Sequence, residues 1–105
     1  MVNKVLNLIG LAYRSRNVVL SDTALEAVTN KKAKLVFIAN DASDKSIKKY
    51  TDKCKYYDID YNLDFNTLEL SSAVGSFNRK LIAVLDQGFS KKMLEEIERR
   101  VINGI

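Results

Sequence analysis

Apolar residues recur along this chain at two alternating periods. Val2, Val5, Leu6, Ile9, Ala12 and Tyr13 fall at helical spacing and predict an opening amphipathic helix. Gly10 lowers the propensity of that helix but permits close packing of a neighbour. A polar break follows at Arg14–Asn17, then Val18-Val19-Leu20 reads as a short strand. Ser21-Asp22 offers the N-cap of a second helix that turns Ala24, Leu25 and Val28 inward and ends near Asn30-Lys31-Lys32. The run Leu35 to Ala39 is continuously apolar, too short for a typical helix and rich in strand formers. It predicts a strand buried on both faces, which needs helices above and below it.

The second half repeats the alternation. Ser43 or Asp41 caps a third helix whose inner stripe is Ile47, Tyr50, Thr51, Cys54 and Tyr57. Lys45, Lys48, Lys49 and Lys53 lie on its outer side and read as a solvated face. Ile59, Tyr61, Leu63 and Phe65 alternate with Asp60, Asn62 and Asp64, the pattern of a half-buried strand. Asn66-Thr67-Leu68-Glu69 has the form of a capping box, and Gly75 stands where a helix ends in the left-handed conformation. Leu81 to Leu85 is a second buried strand. Gly88 and Ser90 open a last helix that turns Met93, Leu94, Ile97 and Val101 inward. The order α-β-α-β-α-β-α-β-α predicts one layered α/β domain over residues 1–105 with a mostly parallel or mixed sheet.

Composition narrows the chemistry. With 47% apolar and 29% charged residues, the chain has the balance of a globular domain. No apolar run approaches the ~20 residues of a membrane span. The opening Met-Val-Asn-Lys-Val-Leu-Asn-Leu-Ile-Gly lacks a cationic lead and a small-residue cleavage site, so the cytoplasm is the expected compartment. Cys54 is the single cysteine and reads as a small buried hydrophobe. There is no histidine, which excludes histidine-based triads and the common zinc sites. Asp58, Asp60 and Asp64 read as the polar face of a strand. No acid–base pair or activated nucleophile can be named, so neither an enzyme nor a cofactor or metal is expected.

Charge points elsewhere. The net charge is +4, and its distribution is uneven. Residues 1–20 carry Lys4, Arg14 and Arg16 with no acid, whereas residues 58–69 carry Asp58, Asp60, Asp64 and Glu69 with no base. A small protein that docks on a polyanion by one face has this asymmetry. Two stretches are candidates. The turn Arg14–Asn17 with Ser21, Asp22 and Thr23 joins cations to a helix N-terminus, which can meet phosphates or base edges or be an ordinary capped turn. Gly75-Ser76-Phe77-Asn78-Arg79-Lys80 places a ring, an amide and two cations in one loop, a mix that stacks on an unpaired base and grips its backbone unless Phe77 folds into the core.

Five further stretches carry a resemblance. They are Leu8-Ile9-Gly10-Leu11-Ala12, Ala33-Lys34-Leu35-Val36 with Ile38-Ala39-Asn40-Asp41, Asp52-Lys53-Cys54-Lys55-Tyr56-Tyr57, Leu70 to Gly75, and Asp86-Gln87-Gly88-Phe89-Ser90-Lys91. Through them nearly the whole chain resembles the ribosomal L-seven-Ae/L-thirty-e superfamily, most of all its small bacterial YlxQ-type branch. The resemblance implies a three-layer α/β/α sandwich with a four-stranded mixed sheet. It also implies binding of RNA kink-turns by the turn opening the second helix and the loop before the last strand, lying close in space. Kink-turn readers of this kind carry Gly-x-Asn-Glu at the second helix's start and a lysine one turn later. Counting back from Ala33, those positions hold Leu20, Asp22, Thr23 and Glu26 here, and Ser76 replaces a lysine common in relatives. Glu26 and Asp22 set negative charge where a phosphate or guanine edge is met, which opposes kink-turn readout.

The reading that joins these strands of argument is a non-enzymatic RNA-binding protein. Arg14, Arg16, Lys31, Lys32, Lys34, Arg79 and Lys80 are expected to position phosphates. Asn17, Ser21, Asp22 and Thr23 are expected to face bases, and Phe77, framed by Gly75, Ser76 and Asn78, to cover an extruded nucleotide. The expected partner is structured RNA, kink-turn-like or ribosomal, bound by a ribosome-associated monomer with no membrane contact. The alternative is a protein-interaction module that kept the fold and lost kink-turn readout.

Overall fold

Four strands form one sheet in the order β1-β4-β2-β3: β1 Val18–Leu20, β2 Leu35–Ile38, β3 Asp60–Asn62 and β4 Leu81–Val84. The computed structural model describes residues 3–103, with side chains through Glu98, so the expectations for Val2 and Val101 lie outside it. Strand β4 runs antiparallel to both β1 and β2, and β3 runs parallel to β2, which makes the sheet mixed. The helices α1 (Lys4–Arg14), α2 (Ser21–Thr29), α3 (Asp44–Tyr56), α4 (Thr67–Ala73) and α5 (Gln87–Asn103) alternate with the strands as the apolar pattern predicts.

The two middle strands, β2 and β4, are buried at every position. Period-two alternation sends their side chains into two different cores. Leu35, Phe37, Ile82 and Val84 pack with Val5, Ile9, Ala12, Leu70 and Met93 from α1, α4 and α5. Val36, Ile38, Leu81 and Ala83 pack on the other face with Ala24, Ala27 and Val28 of α2 and Cys54 of α3. The result is a three-layer α/β/α sandwich. Gly10 has the close neighbour its residue type permits. A Cβ there would stand 2.9 Å from the carbonyl oxygen of Ala73, so α1 rests directly on the end of α4.

Helix ends follow one design. α1, α2, α3 and α4 each end in a paired hydrogen-bond motif around a left-handed residue: Arg16, Lys31, Asp58 and Gly75, with φ of 65°, 60°, 56° and 64°. In each the next amide donates back to the helix, as Asn17 does to the Ala12 carbonyl and Lys32 to that of Ala27. Glycine is used at only one of these four ends. At the starts, Asn66 and Glu69 form the reciprocal capping box. Ser43, not Asp41, caps α3. The Asp41 carboxylate instead accepts from the amide and hydroxyl of Thr67, which ties β2's exit to α4. The last helix opens at Gln87, earlier than Gly88 and Ser90 suggest, because the Asp86 carboxylate accepts from the Phe89 amide.

Register defines two ends of the sheet. Leu20 stands opposite Ile82, and Ile38 opposite Leu81, at what we term the upper end. Val18 and Leu35 both stand opposite Val84 at the lower end.

Candidate nucleic-acid interface

At the upper end, two segments far apart in sequence are held together. β1 delivers its chain to the tip of α2, and the loop 75–80 delivers its own into β4, the neighbouring strand. Arg79 joins them. Its Nε donates to the Ser76 hydroxyl at 2.9 Å and its Nη1 to the Ser21 hydroxyl at 3.1 Å. Its backbone amide donates to the buried Ser71 hydroxyl at 2.8 Å, so the loop is anchored to α4 as well.

This arrangement corrects the expected cap. The N-cap residue of α2 is Leu20 and has no side-chain hydrogen bond, while Ser21 is the first helical residue. Ser21 adopts φ 54°, a left-handed backbone that serine enters only at some cost. The strained backbone position at the tip of α2 is therefore Ser21. Its hydroxyl receives Arg79 instead of capping the helix.

Around this tie the polar groups point outward. Phe77 is 90% exposed and is not folded into the core. Asn78, also left-handed at φ 55°, accepts from the Lys80 ammonium at 2.7 Å. Asp22 and Thr23 are exposed on the first turn of α2, and Glu26 one turn on is exposed too. Asp41 lies within the field of Lys80, and the Thr67 hydroxyl, then its amide, holds the Asp41 carboxyl below its ordinary value. The upper end thus presents a protruding aromatic ring, an ordered loop and a mixture of charges.

The other expected contacts are elsewhere. Lys31 and Lys32 follow the far end of α2, and Lys34 leads into the lower end of β2, its amide bonded to the Val84 carbonyl. Asn17 is also at the lower end, where its carbonyl accepts from Leu85 and its side-chain amide donates to Ser15. Arg16 precedes it as a helix-terminating residue. Arg14 lays its guanidinium back toward Gly10, in an open cleft of roughly 730 Å³ between α1 and α4 lined also by Leu11 and Leu68. Of the predicted residues, Ser21, Asp22, Thr23 and the loop Gly75–Lys80 come together; Arg14, Arg16, Asn17, Lys31, Lys32 and Lys34 do not join them. Sequence reasoning also passed over Ser71, whose signal was faint: a serine at an inward-facing helical position.

Cys54 is buried on the inner face of α3, and burial pushes its thiol up to about 11. A thiol so protonated packs as an apolar group and offers no nucleophile at neutral pH.

Residues 3–94 match the Ribosomal protein L7Ae/L30e/S12e/Gadd45 family. The RNA-binding protein YlxQ of Bacillus subtilis (strain 168) is 39% identical over 92 residues, covering 87% of this chain and 92% of that protein. The RNA-binding protein YlxQ of Enterococcus faecium is 41% identical over 96 residues, covering 90% and 92%. A solved structure from Bacillus halodurans C, of a protein with unknown function, matches with TM-score 0.85 and 36% identity over 90% of this chain and 97% of that one. The Giardia lamblia 15.5kD RNA binding protein shares the fold, with TM-score 0.75 at 18% identity over 94% and 89% of the two chains. By sequence and by architecture, the chain belongs to the Ribosomal protein L7Ae/L30e/S12e/Gadd45 family.

Proposed function

We propose that this protein binds structured RNA, without catalysis, through the upper end of its sheet. The observation that carries the reading is the Arg79 bridge, which sets the tip of α2 against a loop whose Phe77 ring is 90% exposed. An exposed ring beside backbone amides and cations suits an extruded base and its phosphate. The relatives named as RNA-binding proteins support the same reading. In this reading Lys80 and the outer nitrogens of Arg79 meet phosphate, Phe77 stacks, and Ser21, Asp22 and Thr23 border the base. The protein acts as a cytoplasmic, ribosome-associated monomer.

Asp22 and Glu26, both exposed beside the bridge, favour a second reading in which this end docks a protein instead. A fluorescence titration separates the two. A kink-turn RNA, a plain duplex and a single strand are compared at two salt concentrations. Tighter binding of the kinked RNA supports the proposal; equal weak affinity for all three, falling steeply with salt, overturns it.

A further inference from the structure

The outer face of α3 is more than a solvated surface. Asp44–Tyr56 carries five lysines against two aspartates. One aspartate, Asp52, is neutralised by Lys48 at 2.8 Å. Lys45, Lys49 and Tyr56 recur at a spacing that puts them on a single outward line, directly opposite the inward Cys54. Lys55 flanks that line and is exposed. Tyr56 ends it 82% exposed, and it is not loose: the Tyr57 ring, partly buried against the core beneath α3, meets it edge-on at 4.9 Å. A charged helix face needs no exposed, braced aromatic ring. A strand of nucleic acid uses one.

Topology extends this face from the proposed site. β2 leaves the sheet at the upper end, so α3 starts there, beside the tip of α2, and descends to the lower end. α2 and α3 pack side by side, and α2 is followed by the exposed Lys31 and Lys32, also at the lower end. From Lys45 to Tyr56 the line is about 16 Å long at 1.5 Å per residue, room for on the order of five stacked nucleotides at 3.4 Å each. Cations that track a backbone and a ring at the end of the track are the elements of single-strand binding. Asp44 and Asp58 stand at the two ends of the helix and leave the middle of the track positive.

We infer that α3 is a second RNA-contacting surface, which holds a single-stranded segment flanking the structured RNA bound at the upper end. Lys45, Lys49 and Lys55 meet its phosphates, and Tyr56 stacks on a base near its far end. The inference rests on the proposed function and adds a substrate feature to it: a structured element with an unpaired tail.

The test compares a kink-turn hairpin with the same hairpin carrying a ten-nucleotide uridine tail. The intact chain and the variants K45A/K49A/K55A, Tyr56→Ala and Tyr56→Phe are titrated with each. These side chains face solvent, and thermal melting of each variant checks that the fold is retained. The tail is expected to raise affinity of the intact chain roughly tenfold or more. The triple variant and Tyr56→Ala abolish that gain while binding the tailless hairpin as before, and Tyr56→Phe keeps it. The salt slope for the tailed RNA falls by about 0.7 for each lysine lost. Tailless binding with no gain from the tail, or a gain indifferent to α3, overturns this inference and leaves the proposed function standing. Failure of both hairpins to bind sinks the two together. Lysine-dependent binding to phosphatidylserine vesicles without any tail effect assigns the face to a membrane and overturns it too.

Discussion

The guanidinium of Arg79 donates to the hydroxyl of Ser21 at 3.1 Å across 58 residues of sequence, and its Nε donates at the same time to Ser76. Two of its nitrogens thus point into the protein, and Arg79 serves first as a tie. Arg79→Ala is expected to cost about 1–2 kcal/mol of stability in urea unfolding, since two hydroxyls lose a charged donor. Arg79→Lys does not restore it, because one ammonium cannot reproduce the forked geometry. RNA affinity falls in both variants, with the salt slope reduced by about one phosphate contact in Arg79→Ala and nearly unchanged in Arg79→Lys, which keeps the charge.

Phe77 separates stability from binding. The ring is exposed, so Phe77→Ala leaves the urea midpoint unchanged. If a base stacks on it, the same change weakens RNA binding by about 1–3 kcal/mol, and Phe77→Tyr retains most of the affinity.

Gly10 separates them in the other direction. Adding a methyl group there drives it against the Ala73 carbonyl at 2.9 Å, backbone that cannot turn aside. Gly10→Ala is expected to lower stability by about 1–3 kcal/mol through overpacking, despite alanine's higher helix propensity. The thermal midpoint reads this directly.

Arg16 and Lys31 end their helices in a conformation that glycine adopts more readily. Replacing either by glycine is expected to stabilise the fold by roughly 0.5–1 kcal/mol, relief of left-handed strain outweighing the added freedom of the unfolded chain. Asp58→Gly gains less, because aspartate tolerates that region better. Since Arg16 and Lys31 lie away from the upper end, affinity for the tailless hairpin stays constant.

Asp41 gives a pH signature. Hydrogen bonds from Thr67 hold its carboxyl below the ordinary 3.8. The folded state therefore binds that proton less readily than the unfolded chain does. The resulting stabilisation is complete above pH 3.8 and is lost as pH falls through the lower folded value. Thr67→Val removes the hydroxyl donor, and an NMR titration of the Asp41 carboxyl is expected to move back toward its ordinary value.

Local signals in the chain were strong where the physics is local. The run Leu35–Ile38, the Asn66–Glu69 box and the left-handed Gly75 all depend on residues within a few positions of each other. The site was legible as chemistry but not as geometry. Lys31, Lys32 and Lys34 are candidates by charge alone, and only the register of β2 on β4 shows that they lie at the lower end of the sheet, away from the loop 75–80. Ser21 looked like a cap because its competing partner, Arg79, is remote in sequence. Tyr56 carries no site signal in the sequence, because Tyr57 and Cys54 set the inner stripe beside it and an outward tyrosine has no periodic signature of its own.

Strands β1 and β4 are paired neighbours in antiparallel register; β1 leads into one half of the proposed site, and the other half leads into β4. The two halves cannot slide past one another without breaking the ladder between Val18–Leu20 and Ile82–Val84. The proposed site thus takes its spacing from strand pairing, and a ligand that grips both halves clamps the β1 edge of the sheet to β4.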